Sequence, residues 1–382
     1  MIGLFAPRYV SNGKEMLKAA EKILNYKRDL LKPEDLAELE AQISTLKKAL
    51  KERNQPEAEA AGQRLDEMFA AHFPPQPDAA IRENCEVFLV AIVIAVGVRT
   101  FFLQPFTIPT GSMQPTLNGI RGYVTAEPPP NPVVQALHMA LYGRSYLNVV
   151  SKEDDTILNI TEETKFRFFT FSKIECEHQT FTVNCPRDPL RADFHIFPGE
   201  TIHAGQVVAR GYVNTGDHVF VDKMSYNFRK PKRGEVFVFS TANIPTNEYR
   251  MNPGAPSQFY IKRLAGLPED KLQIVPPKLY INGSVAQEFG FQRVMSEQGE
   301  YHGYSNAARQ SWPNENEWYP PFRYLGRPDE VLTIPDKSYF ALGDNSWHSS
   351  DSRDWGIVPQ ENIMGHGLFV YWPFTSHWGF IK

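Results

Sequence analysis

The sequence predicts a mostly β domain carried behind one amino-terminal transmembrane helix, with a separate helical extension ahead of that helix. Three observations lead there. The first ~80 residues have helical periodicity, residues 84–104 hold the most apolar stretch of the chain, and the rest breaks into short β-like runs separated by Gly, Pro and Asn turns. Proline is 30 of 382 residues, about 8% against a typical ~5%, an excess that favours turns and β-rich loops over a helical bundle.

Composition narrows the classes further. Hydrophobic residues make up 42% and charged residues 22%, too apolar for a disordered chain. A net charge of −4 gives no bulk electrostatic case for nucleic acid as a partner. Three cysteines (Cys85, Cys176 and Cys185) cannot build a disulfide framework, and no CxxC is present. A mean hydropathy of −0.38 excludes a polytopic membrane protein but not a single span.

Residues 1–80 read as a helical hairpin or coiled-coil unit. Charged and apolar residues alternate at helical spacing from Lys14 to Leu31 and from Glu34 to Leu50, and Leu36, Leu39, Ile43, Leu46 and Leu50 form a heptad seam. Pro33 suits the first turn of the second helix. A third amphipathic stretch runs from Glu57 to Phe73, and Pro74-Pro75-Gln76-Pro77 ends it. The start, Met1–Asn12, is too short for a secretory leader and lacks its apolar region and cleavage site. A solvated, cytoplasmic helical spacer is the expectation.

Val87–Val98 is an unbroken apolar run, and Phe101-Phe102-Leu103 resumes it after Arg99 and Thr100. From Cys85 to Leu103 the length approaches the ~20 residues a span needs, with Glu86 and Arg99 near the two interfaces and Arg99 snorkelling. The stretch is apolar all round, which favours a span over a core helix. Lys and Arg concentrated before it place the amino terminus in the cytoplasm.

After Leu103, strands are expected at His218–Lys223, Val236–Ser240, Phe259–Leu264, Leu279–Ile281, Val331–Ile334, Phe340–Leu342 and Leu368–Trp372. The stretch from Gly119 to Asn214 is poorly patterned, with one short helix expected around Val133–Leu141.

The usual cofactor and metal signatures (HExxH, a P-loop, GxSxG, GxGxxG after a strand) do not occur, and the ten histidines are scattered, so neither metal nor cofactor is expected. Ser, Lys and Asp remain. In Pro105–Leu117, Gly111 precedes Ser112 and lets the backbone turn sharply, leaving the hydroxyl and its N–H exposed, while Pro109 and Pro115 stiffen the flanks. The bland alternative is a membrane-proximal turn. In Phe259–Asp270, Lys262 shares a strand face with Tyr260 and Leu264, and Arg263 points away. A lysine on an apolar face loses basicity and becomes a competent base; alternatively it is an edge-strand lysine that blocks aggregation. In Ala341–Gly356, short polar side chains fix a turn, with Asp351 and Arg353 able to pair.

Taken together, in this order and behind an apolar helix, these segments resemble the bacterial type I signal peptidases, the leader peptidases that use a Ser–Lys dyad. Ile108–Leu117 is similar to the family's nucleophile box, Gly216–Tyr226 with Gly234–Phe239 to its structural strand box, and Tyr260–Pro268 to its lysine box. Gly343-Asp344-Asn345, Ser349, Asp351-Ser352-Arg353 and Trp355-Gly356 are similar to its last box, and Tyr371-Trp372-Pro373 to its closing strand. The resemblance covers Val87–Leu117 and most of Gly216–Pro373, and implies a signal-peptidase-like β-fold.

It also implies roles. Ser112 is the nucleophile and Lys262 the general base. The Ser112 amide and the Thr110 hydroxyl form the oxyanion hole. Ser349 orients the lysine, with Asp344 and the Asp351–Arg353 pair supporting that loop, and Met113 packs near the dyad. Phe106, Ile108, Pro109, Tyr260 and Ile261 line a cleft where an extended peptide adds as a strand, small side chains filling two shallow pockets. The implied activity is removal of signal peptides from exported preproteins after small residues. The partners are those peptides, the lipid bilayer and the export machinery. The implied site is the bacterial inner membrane, single-pass, with the catalytic domain on the external or periplasmic side.

The chain departs from the family pattern at Ser346-Trp347-His348, where most members carry Arg-Asp-Asn, at Glu269, where Gly is common, and at Asp354, where an aromatic is usual. These changes bear on the bonding within the last loop. Residues 119–214 read as a subdomain inserted at a loop; Cys176 and Cys185, nine apart, either pair in an oxidising compartment or remain two thiols. Two other classes stay open: a non-catalytic single-span binding relative, and a soluble Ser–Lys self-cleaving regulator whose apolar helix is core.

Overall fold

The computed structural model describes the chain except residues 1–6, 29–30, 73–78, 166–168, 247–256 and 310–317. It divides into two compact units, Met1–Val93 and Ile94–Lys382.

In the first unit, helices α1 (Arg8–Lys27), α2 (Pro33–Glu52) and α3 (Gln55–His72) share a core of Ala20, Leu39, Ile43, Leu46, Ala49, Ala58, Ala61 and Leu65. Pro33 sits in the first turn of α2 with Glu34 and Asp35, where the missing N–H costs nothing and the carboxylates face the positive end of the helix. The heptad residues Leu39, Ile43 and Leu46 are buried and Leu36 and Leu50 half-buried. The unit is a three-helix assembly, not a hairpin, because α3 docks through Ala58, Ala61 and Leu65, a face too small in side chain to stand out as an apolar stripe. The Pro74–Pro77 run lies outside the described residues.

Helix α4 (Ala79–Phe101) is 23 residues long; its window Ile81–Phe101 has a mean hydropathy of 1.8 and is nowhere buried within the protein. By length and composition it is able to cross a membrane.

The second unit is built on eight strands: β1 (Leu103–Thr107), β2 (His218–Asp222), β3 (Val236–Ser240), β4 (Phe259–Gly266), β5 (Ser338–Leu342), β6 (Val358–Pro359), β7 (Ile363–Trp372) and β8 (Gly379–Phe380). Their order is β1-β2-β7-β3-β4-β5-β6, with β8 on β7, and all pairings are antiparallel. The continuous apolar run of β3 follows from burial on both faces. Val236 and Val238 pack with Ile108, Met113, Leu117, Val219, Val221 and Val370, whereas Phe237 and Phe239 pack with Ile244, Leu264, Tyr339, Ala341, Trp355 and Val358. A smaller four-stranded sheet (Ser284–Val285, Lys278–Ile281, Lys271–Val275, Leu332–Thr333) covers its own core of Leu272, Ile274, Leu279 and Phe291. The run expected at Val331–Ile334 is strand only at Leu332–Thr333.

The described residues between 119 and 214 form β-structure with a core of their own, including Ile157, Ile160, Ile174, Leu190, Ile202 and Val213. One sheet joins Arg121–Val124, Val207–Asn214 and Arg144–Val150; another joins Thr180–Val183, Phe169–Cys176, Asp155–Lys165 and Thr201–Ile202. The alternation was hidden because Val207–Asn214 buries Ala209, Gly211 and Val213, two of them too small to mark a face. The one helix expected here spans Pro132–Tyr142, where Asn131 accepts from the Val134 N–H and left-handed Gly143 closes the end. Cys176 and Cys185 are both buried and both free thiols.

Candidate active site

Ser112 sits in a 3-10 turn, Gly111–Met113, just beyond β1. The amide of Ile108 continues the β1–β2 ladder by donating to the Asp217 carbonyl at 2.9 Å. Met113 and Leu117 are fully buried in the valine-lined core, so the turn is anchored on both sides of the serine. Gly111 does not adopt a left-handed backbone. A Cβ there would meet only the movable end of the Gln114 side chain, Oε1 at 2.7 Å, so neither a reversal of the chain nor tight backbone packing demands the glycine.

The Gly343-Asp344-Asn345 turn holds this serine in place. Asn345 donates from its backbone to the Ser112 carbonyl at 3.2 Å and from Nδ2 to the Gly111 carbonyl at 3.1 Å. Thr116 Oγ1 donates to Asp344 Oδ2 at 2.5 Å. Gly343 passes so close that a Cβ on it would lie 2.1 Å from Ser349 Oγ and 2.5 Å from the Ser112 carbonyl oxygen.

Lys262 lies on β4 opposite Phe237 and is 4% exposed. β3 pairs along one side of it and β5 joins the other side only from Arg263 onward. It therefore lies where the free edge of β4 ends, yet buried and not presented to solvent as an aggregation-blocking edge lysine would be. Its Nζ donates to Ser112 Oγ at 2.5 Å and lies 5.7 Å from the Tyr260 ring centroid, on the face expected for it. Burial is the main cause that lowers its pKa from 10.5 to about 8; Asp351 opposes the shift, Arg353 adds to it and Asp344 opposes it. Thr110 is exposed at the mouth of the site, with Oγ1 3.5 Å from Ser112 Oγ.

Ser349 is 3% exposed and stands against Gly343, but its Oγ has no hydrogen-bond partner, so it does not bond the lysine in this structure. Asp351 and Arg353 form a fully buried, two-pronged ion pair at 2.9 and 2.7 Å. Asp351 Oδ2 also accepts from the Gly343 N–H at 2.9 Å. The unusual Ser346 does not loosen the loop: its Oγ accepts from Arg353 Nη1 at 2.7 Å and its carbonyl from Nη2 at 2.8 Å.

Arg263 escaped the sequence reading. It does point away from the lysine, but into a buried ion pair with Asp344 and not toward solvent: Nε and Nη2 reach the two carboxylate oxygens at 2.8 and 2.6 Å. The available signal was a second cation directly after Lys262 in a strand that continues Leu264-Ala265.

The sheet curls, so β1 and the start of β4 meet although three strands separate them in order: the Phe106 and Phe259 rings pack edge-on at 5.6 Å. Among the described residues, β1 is paired only to β2, and Phe259–Lys262 only to β3, which leaves two strand edges facing a shared cleft. Phe106, Tyr260 and Ile261 are half-buried there, Pro109 is exposed and Ile108 is turned into the core. The described residues hold one set of close ligand-type atoms, Asp155, Glu177 and His178, far along the chain; Asp155 is already saturated by the amides of Thr156, Glu177, His178 and Gln179.

Two known proteins show the likeness. A signal peptidase I of Leptolyngbya laminosa is 29% identical over 161 residues, covering 42% of this chain and 63% of the relative. One of Pseudomonas aeruginosa is 31% identical over 187 residues, covering 42% of this chain and 61% of the relative. The chain thus spans less than two thirds of the length of these relatives. A solved signal peptidase I of Enterococcus faecalis V583 is 25% identical and aligns with 36% of this chain and 97% of its own at a TM-score of 0.24, too little superposition to speak for the fold. The sequence pattern of a whole family goes further, matching residues 81–127 and 208–372, which takes in α4, the serine turn, both buried ion pairs and the lysine strand while passing over the middle of the inserted subdomain. With more than half of its residues inside that pattern, the chain belongs to the signal peptidase, peptidase S26 family.

Proposed function

We propose that this chain is a membrane-anchored serine endopeptidase that removes signal peptides from exported proteins after small residues, with Ser112 as nucleophile and Lys262 as general base. The observation that carries the reading is the 2.5 Å contact between a buried amine and the Ser112 hydroxyl. A pKa of about 8 leaves about a tenth of that amine neutral at pH 7, against a vanishing share at its ordinary pKa.

In this reading Lys262 Nζ takes the Ser112 proton as Oγ bonds to the scissile carbonyl carbon. The carbonyl oxygen becomes an oxyanion, stabilised by the Ser112 amide and the Thr110 hydroxyl. The lysine ammonium then protonates the leaving amine as the C–N bond breaks. A water attacks the acyl-serine, the lysine takes its proton, and the Ser112 hydroxyl is restored as the leader is released. No third member is needed, because burial lowers the lysine's basicity enough that part of it is neutral and able to accept the proton. Asp344, Asp351 and Arg353 hold the serine and lysine strands together, and Ser349 fills the wall beside them.

The leader enters as an added strand between β1 and β4, along Phe106, Ile108, Pro109, Tyr260 and Ile261. Helix α4 is the anchor, with the amino-terminal helices cytoplasmic and the catalytic domain on the outer face, where export machinery delivers its cargo. Ser112 follows Leu103 by nine residues, and at ~3.5 Å per residue that tether keeps the serine close to the bilayer surface. The test is a synthetic leader peptide with an Ala-x-Ala site, given to the full chain in detergent. Ser112→Ala and Lys262→Ala abolish cleavage, and Lys262→Arg does too, because a guanidinium does not give up its proton. Cleavage that survives Ser112→Ala overturns the assignment.

A further inference from the structure

The inserted subdomain does not stand apart from Ser112. Its first strand leaves the serine turn directly, with the Ile120 N–H donating to the Pro109 carbonyl at 3.2 Å. Its short helix, Arg187–Ala192, is pinned to that strand because Asp193 Oδ2 accepts from the Gly122 N–H at 2.7 Å. The result is a cleft of about 630 Å³ lined both by Ser112 and by Asp188 and Asp193.

This cleft differs in kind from the β1–β4 groove. Phe106, Tyr260 and Ile261 take no part in it; Arg121, Glu300 and His348 do. A peptide crossing Ser112 therefore passes from an apolar groove to a polar cleft. A leader is the apolar part of its precursor, so the residues after the cut are the ones that meet the polar walls.

The charges in the cleft are unequal. Three carboxylates (Asp188, Asp193 and Glu300) face two guanidiniums (Arg121 and Arg309). Arg121 already lies 4.0 Å from Glu300, and Asp193 is engaged by the Gly122 amide. Asp188 is different: its side chain is 90% exposed, and its ion-pair contact is with its own neighbour Arg187 at 3.9 Å.

We infer that the inserted subdomain is the mature-side wall of the active site, and that Asp188 makes the enzyme favour a basic over an acidic side chain in the first residues after the cut. This rests on the proposed peptidase activity. It adds the class of peptide segment the second half of the cleft takes, and a residue that discriminates within it.

The test uses the full chain in detergent and two leader peptides, identical up to the cut, carrying Lys or Glu at the second and third positions after it. Wild type cleaves the Lys peptide with the higher kcat/KM, by roughly two- to fivefold as expected of an exposed charge contact. Asp188→Asn removes the preference and Asp188→Lys reverses it, while the requirement for small residues before the cut is unchanged. High salt brings the wild-type ratio toward one. A wild-type ratio of one, or a preference untouched in Asp188→Lys, overturns the inference. Failure of the peptidase reading looks different, since neither peptide is then cut in a Ser112-dependent way.

Discussion

Arg263 and Asp344 meet as a two-pronged ion pair, 1% and 0% exposed, one residue away from Lys262 on one side and from Asn345, which holds the Ser112 turn, on the other. Thr116 adds a third bond to the same carboxylate, so lysine strand and serine turn share one buried anion. Removing one member leaves an uncompensated buried charge. Asp344→Ala is expected to lose about 3–5 kcal/mol of folding stability, read by denaturant unfolding. Replacing the pair together with apolar residues should cost less than this single change.

As the proposed general base, Lys262 must be neutral to take the serine proton. With its pKa near 8, kcat/KM for a leader peptide rises with pH and levels off above that value. On the acid side it falls about tenfold per pH unit. A pH–rate profile checks this, and a flat line down to pH 5 contradicts it.

The same buried amine opposes folding. Below pH 8 both folded and unfolded chains hold the proton, and the folded state bears the full penalty of a charged amine without water, on the order of 3 kcal/mol for a shift from 10.5 to about 8. Between about 8 and 10.5 the folded lysine is already neutral while the unfolded one still binds its proton, so the penalty fades as pH rises through that window. Lys262→Met is therefore inactive yet more stable than wild type at pH 7, and its advantage disappears above about pH 10.5. Unfolding curves at the two pH values settle it.

Thr110 stands exposed beside the serine with only its hydroxyl suited to an oxyanion. Thr110→Val keeps the shape and removes the donor. It should lower kcat by about 10²-fold with little change in KM, and Thr110→Ser should restore most of the loss. Steady-state kinetics on one leader peptide distinguishes the two.

What could be read from the sequence divides along physical lines. The serine turn, the lysine strand and the last turn each carry their signal in a few adjacent residues, and so did the heptad of α2. Arg263 was hidden because burial of an arginine depends on a partner 81 residues away, which no local pattern reports. The sheets of residues 119–214 were hidden because their inward positions include Ala209 and Gly211. Ser346 shows the converse: a departure from the family pattern that looked disruptive supplies the hydroxyl and carbonyl that Arg353 needs.

That Asp188 and Ser112 line one cleft also bears on selectivity of small molecules. A compound built only on the proposed Ser112–Lys262 pair would touch residues that the family pattern matches. One that extends past the serine and carries a cation toward the Arg187–Ala192 helix would touch a surface outside the residues the family pattern matches. On the proposed activity, that offers a handle for blocking this chain while sparing kin that follow the bare pattern.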